Sequence, residues 1–138
     1  MVDKEGLLQH FHDNPFLQIN HMEFVDAGED WAQMELKVYE GSLNPLGLVH
    51  GGALFTLADS AGGAAAHTDG RVYVTLSSSF TFLHSALPGD TVRAKGTVRR
   101  RGQTTCYVNV DVTNQKEELL ASGNYTFFHI PEMDGRFN

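Results

Sequence analysis

The chain has 138 residues, 41% of them hydrophobic and 20% charged, which is enough to close one core without staples and excludes the disordered and fibrous classes. A formal net charge of −7 at pH 7 argues against broad contact with nucleic acid, which needs a basic surface. Cys106 is the single cysteine and cannot form an intrachain disulfide, and Asp3-Lys4-Glu5 is no secretory leader, so the expectation is one cytoplasmic domain spanning 1–138.

Residues 3–12 place Leu7, Leu8 and Phe11 at helical spacing and predict a short N-terminal helix that stops before Asn14-Pro15. Residues 22–27 and 31–39 read as two strands of a hairpin around Gly28-Glu29-Asp30. Residues 51–66 read as a helix that is apolar on nearly all sides, interrupted by one carboxylate, Asp59. Its many Gly, Ser and Thr, with Asp59 and His50, argue against a membrane span. Four extended stretches follow at 72–83, 91–100, 104–114 and 119–130, separated by Pro88-Gly89-Asp90, Arg101-Gly102-Gln103 and a polar turn at 115–118. This order predicts an α+β fold, an antiparallel sheet of about six strands wrapped around one long helix. One sheet covers only part of an apolar helix, so a second copy of the chain is expected to bury the rest.

The chemistry concentrates around that helix. At His50-Gly51-Gly52 the unpaired backbone N–H groups of a helix start and the helix dipole can polarise a carbonyl, and two glycines let a ligand approach the backbone. The same glycines could equally do no more than shape a turn. Asp59 is either a structural carboxylate held by Thr56, Ser60 or a strand hydroxyl, or a general base or nucleophile. Eight residues of helix set it about 12 Å from Gly51. The two cannot reach one carbonyl from the same chain, so a site using both takes one from each of two chains. The run Thr75-Leu76-Ser77-Ser78-Ser79 supplies strand hydroxyls, and unbroken alternation puts Ser77 on a polar face with Tyr73, Thr75 and Ser79 unless a bulge intervenes.

The motif Asn44-(x)5-His50-Gly51-Gly52, with Asp59 nine residues after the histidine and the hydroxyl-bearing strand ending Phe80-Thr81-Phe82-Leu83, resembles the hotdog-fold acyl-CoA thioesterases of the phenylacetate-pathway, PaaI-like group. The likeness covers about residues 20–130. It implies hydrolysis of an acyl- or aryl-acyl-CoA, or an acyl-carrier-protein thioester, with no cofactor and no metal, by a homodimer that shares its active sites and pairs into a homotetramer. It implies that the Gly51 N–H polarises the thioester carbonyl and that Asp59 activates water or attacks directly. Asn44 and His50 would orient the thioester, and Ser77 would hold the water beside the acid.

Arg93, Lys95, Arg99, Arg100 and Arg101 form the one cationic cluster. Arg100, Arg101, Gly102 and Gln103 are candidate contacts for coenzyme A phosphates, against the plainer reading of a solvated strand end. The seven histidines show no metal-ligand spacing, and Cys106 alternates with valines as a core residue. Phe16, Phe24, Phe55, Phe80 and Phe82 suit either an acyl pocket or the core. The competing readings are a non-catalytic acyl-CoA-binding module and a hotdog hydratase or dehydratase.

Overall fold

The computed structural model describes residues 3–136. Helix α1 (Lys4–His12) starts at Asp3, whose side chain accepts the Gly6 N–H at 2.9 Å, and tucks Leu7 into the core. A second short helix, α2 (Pro15–Ile19), follows where the sequence reading ended. Asn14-Pro15 both stops α1 and starts α2: the Asn14 carbonyl oxygen of the side chain accepts the Leu17 N–H at 3.0 Å, and Pro15 occupies the first turn, where its missing N–H costs nothing.

Strands β1 (Met22–Gly28) and β2 (Trp31–Lys37) form the expected hairpin. β2 ends two residues early, because Tyr39 turns into a tight 3-10 turn at Glu40–Ser42. Helix α3 (Gly51–Ala66) has the boundaries read from the sequence. Then come β3 (Tyr73–Phe82), β4 (Thr91–Arg101), β5 (Thr105–Thr113) and β6 (Leu119–His129). All neighbours are antiparallel in the order β1-β2-β4-β5-β6-β3, which leaves β1 and β3 as edges. This is the six-stranded sheet around a helix that the sequence predicts.

The sheet curls around α3 and packs Ala32, Met34, Leu36, Val92, Ala94 and Val110 against it. Contact is tightest at Gly96, where a Cβ would sit 2.8 Å from the Ala61 carbonyl oxygen, so only glycine lets helix and strand approach this closely. Ala61 to Ala66 are buried on every side. Earlier in the helix, Phe55, Thr56, Asp59 and Ser60 share a stripe that the sheet covers only in part. Among the described residues no helix is long and apolar enough to cross a membrane.

Of the four irregularities in strand pairing among the described residues, two decide where the candidate site side chains point. The pairing register shifts between Thr75 and Ser77 in β3, with Leu76 as the extra residue, and between Val98 and Arg100 in β4, with Arg99 as the extra residue. Each reverses the face of every residue that follows relative to plain alternation.

Candidate active site

His50 precedes α3 in an extended conformation and caps it twice over. Its Nδ1 accepts the Gly52 N–H at 2.8 Å, and its carbonyl accepts the N–H groups of Ala53 (2.9 Å) and Leu54 (3.3 Å). Of the first four N–H groups of the helix, only that of Gly51 has no partner among the described residues. The sequence reading gave this helix start several open donors; the structure leaves one. A Cβ on Gly51 would come within 3.2 Å of the Phe82 ring, which packs over the backbone there.

The loop before the helix is held by Asn44. Its side-chain oxygen accepts from Leu46 N–H (2.9 Å) and Leu48 N–H (3.2 Å), and its own N–H donates to the Leu48 carbonyl at 2.7 Å. The side-chain amide group of Asn44 therefore keeps both donors for a ligand. Asn44 and Gly51 line one groove of about 300 Å³ with Phe82, Leu83 and His84.

Asp59 lies two turns farther along α3 and is half-buried. Thr75 Oγ1 donates to its Oδ1 at 2.6 Å. Burial pushes its pKa above the ordinary aspartate value, and the Thr75 hydrogen bond opposes that rise in part. It lines a second groove, of about 590 Å³, between α3 and the two N-terminal helices. The two grooves share no residue, so within one chain the carbonyl-polarising N–H and the carboxylate face different spaces.

Ser77 does not join Asp59 within the chain. The extra residue Leu76 pairs Ser77 with Thr126 while Thr75 pairs with the inward-facing Phe127, so Ser77 faces away and the hydroxyl on the carboxylate belongs to Thr75. The sequence places Thr75 in the hydroxyl run and allows a strand hydroxyl on Asp59, but the resemblance singles out Ser77; the bulge that decides between them carries no residue signature.

Arg101 is the second correction. The extra residue Arg99 turns Arg101 inward, opposite buried Cys106, while Arg100 faces out opposite Tyr107. The Arg101 guanidinium donates to Asp30 (2.9 Å), to the Ala66 (2.8 Å) and Ala65 (3.1 Å) carbonyls, and to Thr68 Oγ1 (3.1 Å) and the Tyr73 hydroxyl (3.2 Å). With Asp69 also 3.0 Å away, its donors are consumed inside the protein and none remains for a phosphate. The Gly102 and Gln103 carbonyls accept from Arg71 at 3.2 and 3.3 Å. Arg93 pairs with Glu35 at 2.9 Å, and Lys95 sits 5.1 Å above the Trp31 ring. Arg99 and Arg100 are the exposed remainder of the cationic cluster, without an ion pair among the described residues.

Burial raises the Cys106 thiol pKa, which suits a core residue rather than a nucleophile. His67 is held neutral by burial, its pKa down at about 4, with Nδ1 donating to the Gly63 carbonyl (2.6 Å) and Nε2 accepting the Tyr73 N–H (3.1 Å). Among the described residues no group of three or more His, Cys, Asp or Glu is placed to hold a metal ion.

Residues 46–121 match the family model for the thioesterase superfamily. The chain is 30% identical over 100 residues to the acyl-coenzyme A thioesterase PaaI of Escherichia coli K12, covering 72% of this chain and 71% of that one. The solved structure of the E. coli PaaI protein superposes with a TM-score of 0.86 at 24% identity, over 92% of this chain and 95% of that one. A hypothetical thioesterase of Streptococcus pneumoniae TIGR4, solved with coenzyme A, superposes with a TM-score of 0.83 at 31% identity, over 90% of this chain and 97% of that one. Asp-to-Ala and Thr-to-Ala variants of a hypothetical thioesterase from that organism have also been solved, at positions sixteen apart, the separation between Asp59 and Thr75.

Proposed function

The chain belongs to the thioesterase superfamily, and we propose that, as one hotdog domain spanning 1–138, it hydrolyses acyl-coenzyme A thioesters to the free acid and coenzyme A. The observation that carries the reading is the pairing of one unpartnered N–H, at Gly51 on the start of α3, with one carboxylate of raised pKa, Asp59, on the same helix.

Hydrolysis needs a donor for the oxyanion and a base or nucleophile at the carbonyl carbon, while the thiolate departs readily. The Gly51 N–H, backed by the helix dipole, is the donor. The Asn44 side-chain amide, in the groove that Gly51 lines, and His50, whose Nε2 is free of the cap, orient the thioester. Asp59 takes the proton from water or attacks directly, and Thr75, rather than Ser77, holds its carboxylate. Because these halves face separate grooves, each site takes Gly51, His50 and Asn44 from one protomer and Asp59 and Thr75 from its partner. Support for a homodimer comes from the unpaired edge of β3, which exposes Val74, Leu76 and Phe82, and from the partly uncovered stripe of α3. Two such dimers would form the homotetramer, acting in the cytoplasm. Arg99 and Arg100 are the contacts proposed for coenzyme A phosphates, with Gly102 and Gln103 shaping the hairpin beside them.

The test is thiol release from a panel of short-chain, long-chain and aromatic acyl-CoAs. Asp59→Asn keeps an oxygen for Thr75 but loses the base, so turnover should fall about a hundredfold or more with substrate affinity retained. Near-wild-type turnover would remove Asp59 from the chemistry, and no release by the wild type from any thioester would overturn the reading.

A further inference from the structure

The groove that holds the Gly51 N–H and the Asn44 amide has one more polar wall. Among the described residues that line it, His84 is the only one with a titratable side chain, and it takes no part in polarising the carbonyl or activating water. His84 lies two residues past β3, where the N–H groups of Leu83 (2.8 Å) and His84 (3.1 Å) both donate to the Leu120 carbonyl and fix the backbone. Its Nε2 stands 3.8 Å from Oε2 of Glu118, and the other oxygen of that carboxylate accepts from the Asn114 side-chain amide at 3.0 Å. Asn114 in turn accepts the N–H groups of Lys116 (2.9 Å) and Glu118 (3.1 Å), so the carboxylate is mounted on a tight turn rather than a loose arm. Asp90, tied to Leu87 and Gln115, also lies within electrostatic reach of the ring. Nδ1 of His84 has no partner among the described residues.

We propose that His84, oriented by Glu118, gives a proton to the departing sulfur. The inference rests on the thioesterase reading and adds a catalytic residue to it. A free alkyl thiol such as that of cysteine ionises at about pH 8.5, so at neutral pH coenzyme A is released as the thiol and its sulfur has to acquire a proton. When water attacks, its oxygen bonds to the carbonyl carbon and its proton goes to Asp59. When the C–S bond then breaks, the electron pair goes to sulfur, and the proton on Nδ1 of the His84 imidazolium follows it, leaving a neutral ring. Solvent restores that proton, and Asp59 releases its own to solvent. The groove is small, about 300 Å³, so a thioester whose oxygen meets the Gly51 N–H lies beside His84. His50 is the poorer donor: its Nδ1 accepts the Gly52 N–H, which requires the neutral ring, whereas His84 faces a carboxylate.

The experiment compares two thioesters of the acid that the wild type releases best from coenzyme A: its CoA ester and its S-phenyl ester, whose aryl thiolate leaves without a proton. His84→Gln should lower kcat on the CoA ester by about tenfold or more and on the phenyl ester by less than about threefold. Glu118→Gln, which keeps an oxygen for Asn114, should lower turnover of the CoA ester by about threefold with the same selectivity. The His84 side chain is 57% exposed, so its loss should leave the unfolding midpoint unmoved. A loss of less than twofold on the CoA ester, or an equal loss on both esters, overturns the proposal and leaves an Asp59-dependent hydrolase standing. Should the wild type refuse the phenyl ester, added imidazole decides: it restores turnover of the CoA ester to His84→Ala if the ring supplies a proton, and an absence of rescue overturns the proposal. No thiol release by the wild type from any acyl-CoA overturns both readings.

Discussion

The two ends of α3 are finished in opposite ways. At the C-terminal end, Arg101 donates to the carbonyls of Ala65 and Ala66 and is itself neutralised by Asp30 and Asp69, so the negative end of the helix dipole is closed by a cation and a web of hydrogen bonds. At the N-terminal end, His50 satisfies three donors and leaves the fourth, at Gly51, open to a groove. One end is completed for stability, and the other is left one bond short where a carbonyl can dock. An unpaired donor is tolerated there because the site is a groove rather than a sealed interior.

The sharpest way to break that contrast is to remove the open donor and nothing else. Gly51 is the first residue of the helix, the position proline prefers, and His50 already has the extended conformation (φ −63, ψ 135) that a following proline demands. Gly51→Pro should therefore fold, yet lower kcat by about a hundred- to a thousandfold, the usual loss for one oxyanion donor. Gly51→Ala supplies the control, since it crowds Phe82 with the same Cβ and keeps the N–H. Equal losses in the two variants would assign the defect to crowding and close the N-terminal end to chemistry.

The opposite end should answer with stability. Arg101→Ala strands Asp30 and two helix carbonyls, while Asp69 keeps Arg71 and Tyr73, at a cost on the order of 3 kcal/mol read in denaturant unfolding. Arg101→Lys keeps the charge but not the planar fork and should recover only part of the loss. A stable Arg101→Ala protein would mean that the C-terminal closure is incidental.

Much of this contrast is legible in the chain. The boundaries of α3 follow from an apolar run bracketed by a capping histidine and polar residues, and the strand order of types follows from the alternation around Pro-Gly turns. Asp59 stands out because it is the only charge in that run. What is illegible comes down to two extra residues. Leu76 moves Ser77 off the face of Asp59 and hands its place to Thr75, and Arg99 turns Arg101 into the core while Arg100 stays outside. A bulge is set by how neighbouring strands pair, which a period-two pattern in one strand does not contain. α2 escaped for a different reason: Asn14-Pro15 reads equally well as an end and as a beginning.

A smaller effect separates the middle of the helix from both ends. Burial raises the Asp59 pKa, so its ionisation is costlier in the folded protein than in the unfolded chain. The protonated form favours folding below the unfolded pKa, and that contribution is lost as pH rises through the folded pKa. Asp59→Asn should thus be at least as stable as wild type at neutral pH, with the difference closing under acid. Activity has the reverse sign: kcat/KM should fall as pH drops through a limb above the ordinary aspartate value. Thr75→Val removes the hydrogen bond that favours the ionised form and should move that limb to higher pH. An unmoved limb would detach Thr75 from the acid.

The smallest effect belongs to Arg100, and it tests the bulge that separates it from Arg101. The two are adjacent in sequence, but one faces solvent opposite Tyr107 and the other turns inward, partly buried, opposite Cys106. An exposed guanidinium on a phosphate is worth about 0.2–1 kcal/mol and is screened by salt. Arg100→Ala should then raise KM for acyl-CoA about two- to fivefold at low ionic strength, leave kcat and the unfolding midpoint alone, and lose its effect at about 1 M salt. Arg101→Ala should show the inverse profile, with a lowered midpoint that salt does not restore. If Arg100→Ala instead lowers stability or its KM effect persists in salt, the outward placement of Arg100 is wrong, and the contrast between a closed end and an open one loses its geometric basis.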